Sequence, residues 1–402
     1  MAGSEIPIIT PDKPAAPEQA KGWAPLALGF RPFFLLAIWF AVLLMLTSVG
    51  GFVSGIWHYN YFDLPLWHAH EMVFGYAVAV IAGFLLISVR NWTGLPTPTG
   101  KALLLLVLLW LAPRLLSAVP QLSGLPFALL DLLFLPVLAV ILGQRILKAK
   151  QPHNYPVPML LLFLAGCNAA VHLEVLAYAQ DISVQAMQMA VALIIALVAL
   201  LAGRVVPFFM QGGVGIRPVA NKRIEQLALP SVLLFVLTIA MGQPWLLIST
   251  ALLAALIHGI RLYGWLHRAV LQEPMLWVLH AGYVWLVAGF LIYAVAQFAD
   301  LPTMHAIHAW TLGGIGMFTL GMMARVALGH TGRPIQALAW IQTAFMLMLI
   351  ATLARVLLPM IKPELLDISI HISATCWIVG FIIVGIRYSS ILLRARVDGK
   401  EG

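Results

Sequence analysis

The chain has 402 residues, 62% of them hydrophobic and 9% charged, with a mean hydropathy of +0.97. That leaves too little polar surface to cover a soluble globule of this length, so composition excludes a water-soluble enzyme and specifies an all-α polytopic membrane protein. The formal net charge of +8 then reflects topology and contact with the anionic lipid bilayer, and no nucleic-acid partner is expected.

Residues 1–24 carry Pro, Ala and Lys without the apolar core of a signal peptide, which predicts a disordered cytoplasmic tail. Residues 25–402 form a single membrane domain. Apolar runs of about 20 residues, the length that crosses a ~30 Å hydrocarbon core, begin near Phe33, Trp67, Ala102, Leu125, Val157, Val184, Ala228, Pro244, Met275, Met304, Ile335 and Ile368. They predict twelve transmembrane helices. The second opens on His68, His70 and Glu71, and the third ends near Arg114. The fourth holds Asp131, the fifth His172 and Glu174, the eighth His258 and the ninth His280. His305, His308 and Arg325 lie on the tenth, just before His330, and Arg355 lies on the eleventh. Cys167 and Cys376 sit in separate apolar runs, where a thiol acts as a small hydrophobe, so no disulfide framework is expected.

Charge orients these helices. With a cytoplasmic N-terminus, 20 of the 23 Lys and Arg residues fall on the cytoplasmic side, leaving Arg114, Arg355 and Lys362 outside. Alternation of this kind satisfies the positive-inside rule at every loop and places both termini in the cytoplasm.

A motif occurs twice. His70, Gly75, Gly83, Thr93, Gly94 and Pro96 recur as His308, Gly313, Gly321, Thr331, Gly332 and Pro334, at a constant offset of 238 residues. The copies lie eight helices apart, an even number, so they are parallel repeats. Half the offset suggests a third, decayed unit between them, giving pseudo-repeats over about 33–150, 151–270 and 271–392 around a pseudo-threefold axis. Where the middle copy would carry its histidine, the sixth helix has Met187, Gln188 and Met189.

Imidazole is costly in hydrocarbon unless it is hydrogen-bonded or bound to a ligand. All four histidines of the second and tenth helices enter from one side and share a layer. His68 and His70, about 200° apart on a helix, face opposite ways. Register therefore favours His70 with His308 as axial ligands of one flat cofactor. Arg114 and Arg355 lie at the same level, where guanidinium groups suit the carboxylates of a haem. Small glycines along both helices permit close approach of a helix or a macrocycle. A separate set, His172, His258 and His280, offers imidazole ligands for copper, although His172 should lie nearer the outer surface than His280. A lone membrane histidine also commonly serves as an interhelical hydrogen-bonding group.

Phe30-Arg-Pro-Phe-Phe, Trp67-His-Ala-His-Glu-Met72, Asn91-Trp-Thr-Gly94, Gly203-Arg-Val-Val-Pro-Phe-Phe209, Trp277-Val-Leu-His-Ala-Gly-Tyr-Val-Trp285 and Met322-Met-Ala-Arg-Val-Ala-Leu-Gly-His-Thr-Gly-Arg-Pro334 resemble the signature segments of the NnrS family from Gly29 to the last helix. The resemblance implies a haem- and copper-containing protein of the bacterial inner membrane, tied to denitrification and to tolerance of nitric oxide. It carries over His68, His70, Glu71, His280, His308, Arg325 and His330. The architecture also resembles the catalytic subunit of haem-copper oxidases. However, the paired histidines of the oxidase copper site are missing between Ala228 and Gly242, so a copied oxygen-reducing site is not expected.

Three functions follow. The first is binding, detoxification or tolerance of nitric oxide, with His70 and His308 on haem, His68, Arg114 and Arg355 beside it, and copper on His280, His258 and His172, or on Glu71 and His330. The second is transport of a metal or small anion. The third is a sensor or assembly factor without turnover. The residues do not identify an electron donor.

Overall fold

Long apolar runs become long helices because, without water, each backbone N–H and C=O must find its partner inside the segment. The computed structural model describes residues 22–57, 61–116, 124–219 and 221–400. The predicted tail up to Lys21 lies outside the described residues. Among the described residues twelve long helices follow in order: α1 Phe30–Ser54, α2 Leu64–Thr93, α3 Gly100–Leu116, α4 Leu125–Lys148, α5 Pro156–Val175 and α6 Ser183–Val214. They continue as α7 Lys222–Met241, α8 Pro244–Tyr263, α9 Pro274–Phe298, α10 Met304–His330, α11 Ile341–Ile361 and α12 Leu366–Leu393. Eleven are long and apolar enough to cross a membrane. The twelfth, α3, has 17 residues, still about 25 Å at 1.5 Å per residue.

One boundary differs. The eleventh helix starts at Ile341 and not near Ile335, because α10 ends at a left-handed Gly332 (φ 74°) followed by Pro334, and an irregular segment then runs to Trp340. Gly94 ends α2 in the same way, with φ 67° and its N–H on the Arg90 carbonyl (2.9 Å). In both copies the preceding threonine bonds back to the carbonyl four residues earlier, Thr93 to Val89 and Thr331 to Ala327, each at 2.6 Å. Thr-Gly-x-Pro is thus a helix terminator in both places.

The three most enclosed helices are α2, α6 and α10, which bury 94%, 72% and 94% of their most apolar windows against 39 to 61% for the other spans of 18 residues or more. The outer helices turn residues such as Leu43, Leu105, Phe163 and Leu237 outward, as a lipid-facing surface requires. Glycines of α2 pack on α1: a Cβ at Gly75 would lie 2.6 Å from Phe40, and one at Gly83 2.8 Å from Phe34. Those of α10 pack on α9: Gly313 against Trp285 (2.5 Å) and Gly321 against Val278 (2.6 Å). Each copy therefore uses its glycines against the helix before it. α12 returns to α1, and the two ends of the chain pair, with Ala24 N–H on the Leu393 carbonyl (2.9 Å) and Ala395 N–H on that of Gly22 (3.2 Å).

Candidate metal and cofactor centres

Both repeat histidines stand immediately before a widened stretch of helix. In α2 a π-helical segment covers Glu71–Ala77, and in α10 another covers Ala309–Gly316. Such segments shift the side chains that precede them relative to those that follow, and they recur at functional sites.

The first centre lies around Asp131. Arg114 on α3 donates from Nη1 to Asp131 Oδ1 (2.6 Å) and from Nε to Glu71 Oε2 (3.1 Å). Asn168 and His172, one turn apart on α5 and so on one face, both reach Asp131 Oδ2, through Nδ2 (2.7 Å) and Nε2 (3.2 Å). His70 faces an acceptor at each ring nitrogen: Glu71 Oε1 at Nδ1 (3.1 Å), and Asn168 Oδ1 (2.9 Å) with Asp131 Oδ2 (3.4 Å) at Nε2. The Tyr61 hydroxyl donates to His172 Nδ1 (2.8 Å). Burial and the Asp131 carboxylate raise the Tyr61 pKa above the usual phenol value, which keeps this group a neutral donor. That hydrogen bond leaves His172 Nε2–H to donate to the carboxylate. His70, Glu71, Asp131, Asn168 and His172 are all buried.

One nitrogen from His70, one from His172 and one oxygen from Asp131 lie within 4.8 Å of one another. Two imidazoles and a carboxylate form a donor set for copper, iron or zinc. Glu71, Arg114, Asn168 and Tyr61 would then make the outer hydrogen bonds that orient such ligands.

The second centre lies around His308. Its Nδ1 donates to the Met304 carbonyl one turn back (2.8 Å), which fixes the tautomer and leaves Nε2 with a bare lone pair. Its electrostatic neighbours are Arg355, His68 and His305. His68 Nδ1 is held by Ser48 Oγ on α1 (3.0 Å). Arg355 Nη1 and His305 Nδ1 are buried without a hydrogen-bond partner among the described residues. Unpaired buried polar atoms beside imidazoles suit a site that receives a polar or charged group.

The sequence-predicted residues therefore divide differently from their register. His70 does not meet His308, because its ring is engaged from α4 and α5 while His68 is the histidine near His308. Arg114 is saturated by Glu71 and Asp131, so it is not free to hold a haem carboxylate, whereas Arg355 is. The repeat glycines are filled by neighbouring side chains. A flat ring therefore does not fit along those glycines between His70 and His308, but the donors beside Arg355 do suit one.

The predicted copper set separates as well. His172 and Glu71 join the first centre. His258 accepts from the Tyr283 hydroxyl at Nδ1 (2.5 Å) and donates from Nε2 to the Ala228 carbonyl (3.1 Å). Beside it, Arg261 pairs with Glu225 and donates to Tyr283 (3.1 Å), in space that a side chain at Gly203 would occupy. His280 donates from Nδ1 to the Leu276 carbonyl (2.9 Å). His330 packs against Phe30, and its carbonyl accepts from Arg396 (2.9 Å). Among the described residues, none of these three belongs to a group of three potential metal ligands. Asn168, Tyr61 and Ser48 were missed. Only Asn168 left a trace, a polar residue one turn before His172.

A family model for the NnrS protein matches residues 24–396, nearly the whole chain. The chain belongs to the NnrS family. No curated protein matches it. Membership of the NnrS family connects this multi-pass helical bundle, with its His/Asp metal-ligand cluster, to the nitric oxide response.

Proposed function

We propose that this NnrS-family chain is a haem- and copper-containing protein of the bacterial inner membrane, with both termini cytoplasmic, that binds nitric oxide or shields other metal sites from it. The observation that carries the reading is the placement of a histidine cluster at the widened turn of each of the two most enclosed helices, α2 and α10. His308 and His68 would hold haem iron, with Arg355 on a haem carboxylate. His70, His172 and Asp131 would hold copper. When bound, these groups supply reversible gas binding and electron transfer.

The chain's own groups have definite tasks. The Met304 carbonyl and Ser48 hold the rings of His308 and His68 by Nδ1, presenting Nε2. Tyr61 and Asn168 orient His172 and Asp131, while Arg114 offsets two carboxylates that would otherwise repel each other. Burial excludes water from the first centre, while the side chains of the second are only partly buried. The enclosure of α2, α6 and α10, each four helices from the next, supports three parallel four-helix units and, at the level of architecture, a likeness to haem-copper oxidases.

Metal analysis and a reduced-minus-oxidised spectrum of the purified protein test this reading. We expect haem bands and bound copper, and nitric oxide consumption by the reduced protein would distinguish turnover from sensing. Protein lacking both haem and copper after expression with both supplied would overturn the proposal. A second reading, coupled transport of a metal or small anion, is favoured by the two intramembrane carboxylates Glu71 and Asp131. Proteoliposome uptake driven by a proton gradient, in colourless protein, would select it.

A further inference from the structure

The centre formed by His70, His172 and Asp131 lies close to one end of the bundle. His70 stands about 9 Å along α2 from Leu64 and about 35 Å from Thr93, at 1.5 Å per residue. Asp131 is near the start of α4 and His172 in the last turn of α5, so three helices bring these groups to the same end. Towards the other end the way is apolar. Leu132–Gly143 of α4 and Val157–Cys167 of α5 carry no charged or amide side chain, and from Met72 to Ile87 α2 has one hydroxyl, that of Tyr76, which is bonded to Thr319 of α10 (2.8 Å). An ion crossing that region would be stripped of water without receiving a partner.

On the near side the cover is one side chain thick. Phe62, in the segment leading into α2, is 3% exposed, while Tyr61 before it is partly exposed and Asp63 after it is exposed. Its ring lies against both imidazoles, with centroids 4.7 Å from His70 and 5.8 Å from His172. The rings of Tyr61 (4.7 Å) and Phe127 (6.1 Å) flank it. The segment is held at three points: Trp57 Nε1 donates to the Phe62 carbonyl (2.9 Å), the Tyr61 hydroxyl to His172 Nδ1 (2.8 Å), and the Leu66 N–H to Asp63 Oδ1 (2.8 Å). Phe74 offers an internal comparison. Its ring also touches His70 (5.0 Å), but from within α2, where its neighbours Val73 and Gly75 are buried.

We propose that Phe62 closes an entry route by which a metal ion reaches His70, His172 and Asp131 from the end where α2 begins, the outer side when both termini are cytoplasmic. The inference rests on the reading of those three residues as metal ligands. Swinging the Phe62 ring aside uncovers both imidazoles and leaves the Asp63 cap of α2 intact.

Right-side-out and inverted membrane vesicles carrying the copper-loaded full chain, treated with ascorbate and the impermeant chelator bathocuproine disulfonate, test the route. Copper should leave right-side-out vesicles slowly in the wild type and faster by about tenfold or more in Phe62→Ala, which requires only about 1.4 kcal/mol off the opening barrier, with the same copper content before chelation. Inverted vesicles should hold their copper in both. Phe74→Ala, which removes a ring of equal size from His70, should strip at the wild-type rate. If Phe62→Ala fails to fold, Phe62→Leu, which keeps apolar bulk without the breadth of the ring, should give a smaller acceleration. A second readout needs no metal: in metal-free protein, diethyl pyrocarbonate followed by peptide mass spectrometry should modify His172 faster in the Phe62 variants than in the wild type. That result in a protein that holds no copper would reject copper as the occupant and keep the route. Wild-type rates of both stripping and modification in the Phe62 variants, an equal acceleration in Phe74→Ala, or faster stripping from inverted vesicles overturns the proposal.

Discussion

Asp131 accepts hydrogen bonds or charge from Arg114, Asn168, His172 and His70, side chains that reach it from three other helices. Replacing it with alanine takes one of two carboxylates from the buried Arg114 and His70, so Asp131→Ala should lower stability by about 3–5 kcal/mol, the cost of breaking a buried pair from one side. Thermal unfolding in detergent reads this directly, and copper should be lost along with it. The two centres should also respond separately. His308→Ala and His68→Ala are expected to abolish or strongly alter the haem spectrum with copper retained, whereas His172→Ala should release copper and leave the haem bands. His258→Ala, which removes a hydrogen-bonded core group, should cost about 1–3 kcal/mol of stability and move neither signal. Haem retained in both His308→Ala and His68→Ala would place the ring elsewhere. His70, His172 and Glu71 were visible in the sequence as polar residues in apolar runs. Their grouping was not, because register within the repeat says which positions are equivalent and not which side of a helix the neighbours occupy. Asp131 is the instructive case: a single acid in an apolar run could be noticed, but only the packing of α4 against α2, α3 and α5 gives it partners.

The widened segments set the aim of the helices that carry them. Each holds seven or eight residues with π-type hydrogen bonding, directly after His70 or His308. Deleting one residue within Ala309–Gly316 should restore regular α-helix and rotate His308 by about 100° relative to the lower half of α10. The expected result is a lost or altered haem spectrum with helical circular dichroism unchanged, and an unaltered spectrum would mean that the widening has no part in holding the cofactor. Hydropathy located all twelve helices because a span must be long and apolar whatever its neighbours. It could not reveal the π segments, since both lie in helices that are apolar all round and carry no facial pattern to be displaced. The apolar stretch after Pro334 also resembled the start of α11, although Gly332 and Pro334 had already turned the chain. In the repeat, Thr-Gly-x-Pro serves the helix end, glycine serves packing, and only histidine is left for chemistry.

Twelve spans return the chain to the side on which it began, and pairing of residues 22–24 with 393–395 joins the two ends there. In the orientation we propose from the lysine and arginine distribution, that side is the cytoplasm. A reporter fused at Gly402 should accordingly be active in the cytoplasm, and one inserted near Asp181, in the turn between α5 and α6, should be active outside; the reverse pattern would invert the assignment of both centres. The joined ends also impose an order on biosynthesis. Arg31 is among the first charged groups to enter the membrane, yet the carbonyls that receive its guanidinium belong to Ile391, Leu392 and Arg394, which leave the ribosome last. For nearly the whole of translation α1 therefore lacks its contact with the end of α12, and a chain released early never acquires these three carbonyls, so closure of the two ends is the last step of assembly.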